Sequence, residues 1–297
     1  MEVIPVRKDR TKSSPASALP PRPFLRWAGS KLKVLCRLRL FWKSHHTRYV
    51  EPFAGSACLF FDLLPSRAIL GDNNSALIET YRVVRENPGH LYQRLTHIPR
   101  DAPTYYRWRS IDPKTLDRET RALRFVYLNR NCFNGIYRTN MRGAFNVPYG
   151  GKKGLPSGQL EKTDFMRCAE QLKRARLVSG DYLVTLQHVQ NGDFVYLDPP
   201  YALNSRRIFR EYSAKPFETQ DVPAFSKQLR QLDRKGAEFL VSYADCKEAR
   251  ELASQWNAAR LLVRRNVAGF VGDRRNACEW LISNMAIPTS KLESELV

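Results

Sequence analysis

Residues 48–64, "RYVEPFAGSACLFFDLL", set a short strand, a glycine-containing turn and an apolar helix in direct succession. Tyr49 and Val50 suit a buried strand, Pro52 ends it, and Gly55 lets the backbone turn tightly and approach a ligand closely. Strand, turn and helix in that order open an α/β sheet. Working outward, "RAILGDNN" (67–74) reads as a second apolar strand that ends in Asp72. "SALIETYRVVREN" then carries Leu77, Ile78, Tyr81 and Val84 on one helical face, capped by Asn74 or Ser75. Strand-like runs resume at "ARLVSGDYL", "DFVYLDPPY" and "AEFLVSYAD". The last two, "ARLLVRRNVAGF" and "ACEWLISNM", flank a Gly-rich basic turn and read as a β-hairpin. Residues 88–165 break the alternation, with few strand-like runs and much Arg, Tyr and Pro. The pattern predicts an α/β sheet with a helical insert and a C-terminal β-hairpin.

Two strand ends carry carboxylates, and ligands in open α/β sheets bind at the carboxyl ends of strands. Asp72 can accept hydrogen bonds from two ribose hydroxyls, although a helix-entry Asp is often only a cap. Asp198 closes the apolar run 194–197. Pro199 and Pro200 have no N–H to donate, so the strand stops there and the carboxylate is held at a rigid corner ahead of Tyr201. An ordinary Pro-rich turn is the plainer reading of that corner. The chain has no G-x-G-x-x-G and no G-K-[ST] at its first turn, which argues against a dinucleotide or ATP in a P-loop. A ribose-bearing cofactor without phosphates fits better, and S-adenosylmethionine is the obvious candidate.

Lys and Arg number 49 against 29 Asp and Glu, a formal charge of +20, which favours a polyanionic partner, nucleic acid first. No apolar run approaches the ~20 residues that span a bilayer, and the N-terminus lacks the apolar core of a secretory signal. Six scattered cysteines without a C-x-x-C pair fit reduced thiols in the cytoplasm better than a zinc site or a disulfide framework. Residues 121–153 hold seven Lys/Arg and six aromatics but no acid, so the stretch can neutralise phosphates, read base edges and stack on bases. The plainer alternative is a solvated basic face over a small aromatic core, and Phe125, Tyr127 and Leu128 on a helix of 118–130 suit it. "SRRIFREY" (205–212) and "RRNVAGFVGDRRN" (264–276) add two smaller basic loops.

The strings "FLRWAGSK", "EPFAGS", "GDNN", "LNRNCFNGIYRTNMRGAFNVPYG" and "LDPPY", in that order over residues 23–285, resemble the Dam-like D12 class of DNA adenine-N6 methyltransferases. The resemblance implies a Rossmann-like class I methyltransferase sheet with a C-terminal β-hairpin and a helical target-recognition insert. It implies a catalytic S-adenosylmethionine-binding domain over 22–87 and 166–287 and a DNA-recognition insert over 88–165. A disordered basic arm (1–21) and a loose tail (288–297) flank them. Asp198, Pro199 and Tyr201 are implied as catalytic. Trp27, Lys31, Phe53, Gly55, Asp72, Asp181 and Asp198 are implied as cofactor contacts. Arg26, Phe133, Asn134, Ile136, Arg138 and Pro148 are implied on DNA, and Lys152 joins them as a phosphate contact from the acid-free basic stretch. S-adenosylmethionine is the implied methyl donor, with no metal, and the partner is double-stranded DNA, bound by a cytoplasmic monomer with no membrane. The insert string resembles members that modify adenine in GATC.

Two positions depart from the family pattern: Ala57 replaces a second glycine in the turn, and Ser30 stands where glycine is common. Either could weaken cofactor binding. Methyl transfer to adenine would need no covalent nucleophile, because the Asp198 carboxylate and Pro199 carbonyl can each accept one amine hydrogen. Tyr201 would stack on the flipped base. An RNA adenine methyltransferase, or a non-catalytic DNA-binding protein on the same fold, stands as the alternative.

Overall fold

Tyr49 and Val50 lie fully buried in an interior strand, the third of seven across the sheet. The structure is a computed structural model and describes residues 19–140, 143–151, 160–200, 222–264 and 276–288. Its strands are β1 (Arg48–Glu51), β2 (Ala68–Asp72), β3 (Ala175–Ser179), β4 (Asp193–Leu197), β5 (Glu238–Ala244), β6 (Asn257–Arg264) and β7 (Asn276–Ser283). Its helices are α1 (Leu35–Leu38), α2 (Cys58–Leu63), α3 (Ser75–Glu86), α4 (Pro88–Thr96), α5 (Ala102–Ser110), α6 (Arg118–Asn131), α7 (Lys162–Leu172), α8 (Tyr182–Leu186), α9 (Val222–Arg234) and α10 (Lys247–Ala253). This is the mixed α/β architecture that the strand pattern predicts, and it is consistent with the Rossmann-like sheet that the resemblance implies.

The sheet order is β3-β2-β1-β4-β5-β7-β6. β1 to β5 run parallel, while β7 pairs antiparallel with both β5 and β6. The predicted hairpin is therefore present, but its second strand lies innermost. The chain leaves β1 toward β2 and β3, then returns to lay β4 on the other side of β1. Such a reversal opens a crevice at the carboxyl ends of β1 and β4. "EPFAGS" and "LDPP" both begin there.

Strand alternation divides the core into two layers. Tyr49, Phe194, Tyr196 and Leu240 face one helical layer, and Val50, Val195, Leu197 and Val241 face the other. The first layer packs against α2, α3, α6 and α7. α3 starts at Asn74, whose side chain accepts the Leu77 N–H at 3.1 Å, so Asn74 is the cap. α6 is buried on two sides. Leu123 and Val126 join the first layer, while Tyr127 and Leu128 join a small second core with Tyr105, Cys132, Phe145 and Val147. α7 crosses residue 165, the position at which the sequence places the end of the insert.

Candidate active site

Period-two alternation puts Glu51, Tyr196 and Asp198 on one face of the sheet, and register adds Ser242 and Glu279 from β5 and β7. Tyr196 pairs with Leu240, Ser242 with Leu281 and Ala244 with Glu279. Lys31 closes this face from above. It is 4% exposed, with Nζ 3.1 Å from Asp198 Oδ1 and 3.3 Å from Glu279 Oε2. The Ser242 hydroxyl donates to Asp198 Oδ1 at 3.0 Å. Since that proton is committed, the Tyr196 phenol must donate to Ser242 Oγ at 2.9 Å. Asp198 keeps 21% exposure at the crevice edge, although protein surrounds most of it. Burial lifts its carboxyl above the ordinary aspartate range; Lys31 pulls it back and Glu279 pushes it up again. Pro199 is buried directly behind it. Tyr201 lies outside the described residues.

The turn after β1 is built on positive φ. Gly55 has φ +48°, and a Cβ there would come within 2.7 Å of Trp27 Cδ1, so the indole lies flush on the turn. Ala57 also sits in the left-handed region, at φ 50° and ψ 38°. Ser30, at φ −49°, makes no such demand, so glycine is not needed there. Asp72 reaches into the turn: Oδ2 accepts the Gly55 N–H at 3.0 Å and Oδ1 the Asn74 N–H at 2.8 Å. Burial raises Asp72, against the lowering effect of those two donors. Phe53 stacks on Tyr182 with centroids 5.3 Å apart. Asp181 is exposed and caps α8 through Leu183 N–H, and the neighbouring Gly180 N–H donates to Asp72 O at 3.0 Å. The strand ends of β2 and β3 thus bring Asp72 and Asp181 to one edge.

Glu51 goes unnoticed in a motif-based reading, although it heads the "EPFAGS" string. It is 3% exposed, and Oε2 has no hydrogen-bond partner among the described residues. Burial pushes its carboxyl well above the usual range, and the charges of Asp198 and Asp72 add to the push. It is an acid at the end of a parallel strand, the same signal that marks Asp72. Ser242 and Glu279 carry no such signal, because only strand register brings them to Asp198.

The insert meets this site through Trp27. Tyr137 stacks on the indole, with centroids 5.8 Å apart and planes at 13°, and on Phe125 at 4.9 Å. The fully buried Asn129 accepts the Arg26 N–H and donates to the Arg26 carbonyl, both at 2.8 Å. A Cβ on Gly135, at φ +66°, would lie 2.4 Å from Arg26 Cβ, so Arg26 sits against the insert loop. That loop folds back through bridges Cys132 to Tyr149 and Thr139 to Phe145. Phe133 N–H donates to Pro148 O at 2.9 Å, which brings exposed Phe133, Asn134 and Pro148 to one edge. Asn134 takes a left-handed conformation at φ 53°. Ile136 is half-buried against the small second core, and Arg138 Nε donates to Asn146 Oδ1 at 2.8 Å. Lys152 and the basic stretches 205–212 and 265–275 lie outside the described residues. Phe125, Tyr127 and Leu128 are buried, which is the plainer reading offered for them.

Among the described residues, one trio could gather a metal ion, His45, His46 and Glu238. It lies at the start of β1 and β5, the far edge of the sheet. His46 Nδ1 accepts the Lys43 N–H at 2.9 Å, so Nε2 carries the proton and donates to Glu238 at 2.6 Å. That tautomer leaves no lone pair on Nε2 for a metal. No helix among the described residues is long and apolar enough to cross a membrane.

The family described as D12 class N6 adenine-specific DNA methyltransferase matches residues 27–267. The type II methyltransferase M1.LlaDCHI of Lactococcus lactis subsp. cremoris is 31% identical over 274 residues, 89% of this chain and 95% of the relative. The DNA adenine methylase of Escherichia coli K12 is 31% identical over 265 residues, 88% of this chain and 94% of the relative. The type II methyltransferase M.MjaIII of Methanocaldococcus jannaschii is 30% identical over 243 residues, 74% and 83% of the two chains.

Proposed function

The chain belongs to the D12 class of N6 adenine-specific DNA methyltransferases, and from that premise we propose that it moves a methyl group from S-adenosylmethionine to N6 of a flipped-out adenine in duplex DNA, within GATC. The observation that carries the reading is the Asp198 carboxylate at the β1/β4 crevice, held by Lys31 and Ser242 beside the Gly55 turn.

The crevice fits that donor. A buried carboxylate oxygen with no hydrogen-bond donor among the described residues suits a cation, and Glu51 Oε2 offers that place to the donor's amino group. Asp72 and the Gly55 turn suit a ribose, and the turn lacks the glycine-rich amide cradle that phosphates need. Trp27, Phe53 and Asp181 border the same edge and complete the proposed donor site, which Lys31 closes from above. When bound, the donor supplies an electrophilic methyl whose C–S bonding pair leaves on sulfur as N6 attacks.

The chain's own work is alignment. The exocyclic amine of adenine is a poor nucleophile because its lone pair is delocalised into the ring. Asp198 and the Pro199 carbonyl each accept one amine hydrogen, which turns the lone pair toward the methyl. The carboxylate stabilises positive charge as it develops on nitrogen, and is placed to receive the proton that N6 releases on becoming a secondary amine. Tyr201 stacks on the extruded base.

Residues 88–165 form the target-recognition insert on a catalytic domain of 22–87 and 166–287. Arg138 reads guanine O6 and N7, Ile136 and Pro148 touch a thymine methyl, and Arg26 and Asn134 contact bases. Phe133 wedges the duplex and Lys152 neutralises a phosphate. The protein works in the cytoplasm, where it reaches chromosomal DNA.

Expression in a methylation-free bacterial host, followed by mapping of N6-methyladenine across the genome, tests both halves of the reading. Methylation at GATC is expected, and methylation at an unrelated motif would overturn the GATC assignment. Asp198→Ala should lower the transfer rate by at least ~100-fold while DNA affinity changes far less, since a transition-state acceptor is lost and phosphate contacts are not. Activity within a few-fold of wild type would remove Asp198 from the chemistry.

A further inference from the structure

We infer that Glu279 and Ser242 are positioning residues for methyl transfer. Glu279 acts through Lys31 to leave net negative charge at the Asp198 corner, and Ser242 fixes the direction of the carboxylate. The inference rests on the proposed catalytic role of Asp198.

Lys31 bridges two carboxylates at 3.1 and 3.3 Å, and all three side chains are screened from bulk water at 4%, 21% and 7% exposure. With both acids ionised the group carries a net charge of −1. A Lys31–Asp198 pair alone would be neutral and would offer less to an amine becoming cationic in a site of low dielectric. Glu279 supplies the missing charge from a distance. It stands opposite Ala244 on the antiparallel strand β7, so its place is fixed by the sheet rather than by a loop. Ser242 is fixed likewise, two residues before Ala244 in β5, and Tyr196 OH donating to its oxygen holds the hydroxyl proton on Asp198 Oδ1.

The other groups near Asp198 do not share this task. Glu51 and Cys58 face it from the end of β1 and the start of α2. Burial drives the Cys58 thiol up to about 12 and Glu51 well above the usual carboxylate range. Both shifts favour the neutral form, and in the proposed donor site Glu51 faces a cation rather than Asp198. Among the described residues, Lys31 and Glu279 are the charged groups that act most directly on Asp198.

The two residues act on Asp198 in opposite senses, which gives a test that a merely structural role would not meet. Glu279 raises the Asp198 carboxyl and the Ser242 hydrogen bond lowers it. Glu279→Gln should cut kcat by about tenfold or more, with KM for DNA and donor within about threefold. It should also move the acid limb of the kcat–pH profile down by about half a pH unit or more. Ser242→Ala should move the same limb upward. The assay uses full-length protein, duplex DNA containing GATC and S-adenosylmethionine, with thermal melting of each variant alongside. If Glu279→Gln melts below assay temperature, Ser242→Ala alone decides the matter through its upward shift. Folded variants with unchanged profiles, or with limbs that move the same way, would overturn the inference. Asp198→Ala is run in parallel. If it stays active, the catalytic reading itself fails; if it is inactive while the profiles are unchanged, only the positioning roles fail.

Discussion

Ala57 is the residue at which the turn departs from the glycine expected of it, and magnitudes decide whether the departure matters. Its left-handed conformation costs about 1–2 kcal/mol relative to glycine. Its methyl is fully buried in the first core layer, which returns about 0.8 kcal/mol. Glycine would also cost about 0.4–1 kcal/mol more in chain entropy. The terms nearly cancel, so Ala57→Gly should leave the melting temperature within about 2 °C of wild type. Ala57→Val should lower it by about 4 °C or more, because a β-branched side chain tolerates neither the conformation nor the added volume. A gain of more than 2 °C for Ala57→Gly in scanning calorimetry would refute the cancellation. At this scale the sequence was legible where chemistry is local. Asp72 and Asp198 each end a strand that can be read, and Gly55 marks a turn. Glu279 and Ser242 were not legible, because their meaning depends on which residue lies across a ladder, and Asn129 was hidden inside a helix that reads as packing.

At the scale of elements, the parallel strands declared themselves through apolar runs ending in Asp or Pro. The placement of β7 between β5 and β6 did not, since both orders of a terminal hairpin satisfy the same alternation. The far edge of the sheet carries its own constraint. His46 is 1% exposed on its side chain and joins the segment before β1 to Glu238 at the start of β5. Burial lowers its pKa, against the Glu238 bond, and the Lys43 N–H aimed at Nδ1 requires a neutral ring. For Glu238, burial pulls upward, but hydrogen bonds from His46 and His45 outweigh it and hold the acid low. Both shifts are depressions, so both contributions are present at neutral pH and lost on acidification. The His46 part fades as pH falls from about 6.5, and the Glu238 part only below the ordinary glutamate range. The raised carboxyls of Glu51, Asp72 and Asp198 act in the opposite sense. The difference between wild type and His46→Gln therefore isolates the ring. His46→Gln should lose less melting temperature than wild type between pH 7 and pH 5, and parallel curves would refute the neutral-ring brace.

For the whole molecule, the charge of +20 and the acid-free stretch 131–153 set the terms of DNA binding. If about six phosphates are neutralised, affinity should fall by about a thousandfold between 50 and 200 mM salt. Lys152→Ala should flatten that slope by about one unit at every sequence, as fluorescence anisotropy would record; an unchanged slope would remove Lys152 from the phosphate contacts. The stretch 88–165 stands out in the sequence as a composition shift, but its attachment does not. The Trp27–Tyr137 stack and the Asn129 clamp on Arg26 tie it to the N-terminal motif across about 100 residues, a link that no local pattern encodes. The proposed function comes down to one chemical event at the Asp198 corner. Purified wild-type protein and Asp198→Ala are each incubated with S-adenosylmethionine carrying a labelled methyl group and a duplex containing GATC, and the DNA is digested to nucleosides for mass spectrometry. Label is expected in N6-methyldeoxyadenosine from the wild type and essentially none from the variant. Label in a methylated cytosine, no label in DNA from the wild type, or equal label from both proteins would contradict the proposed function.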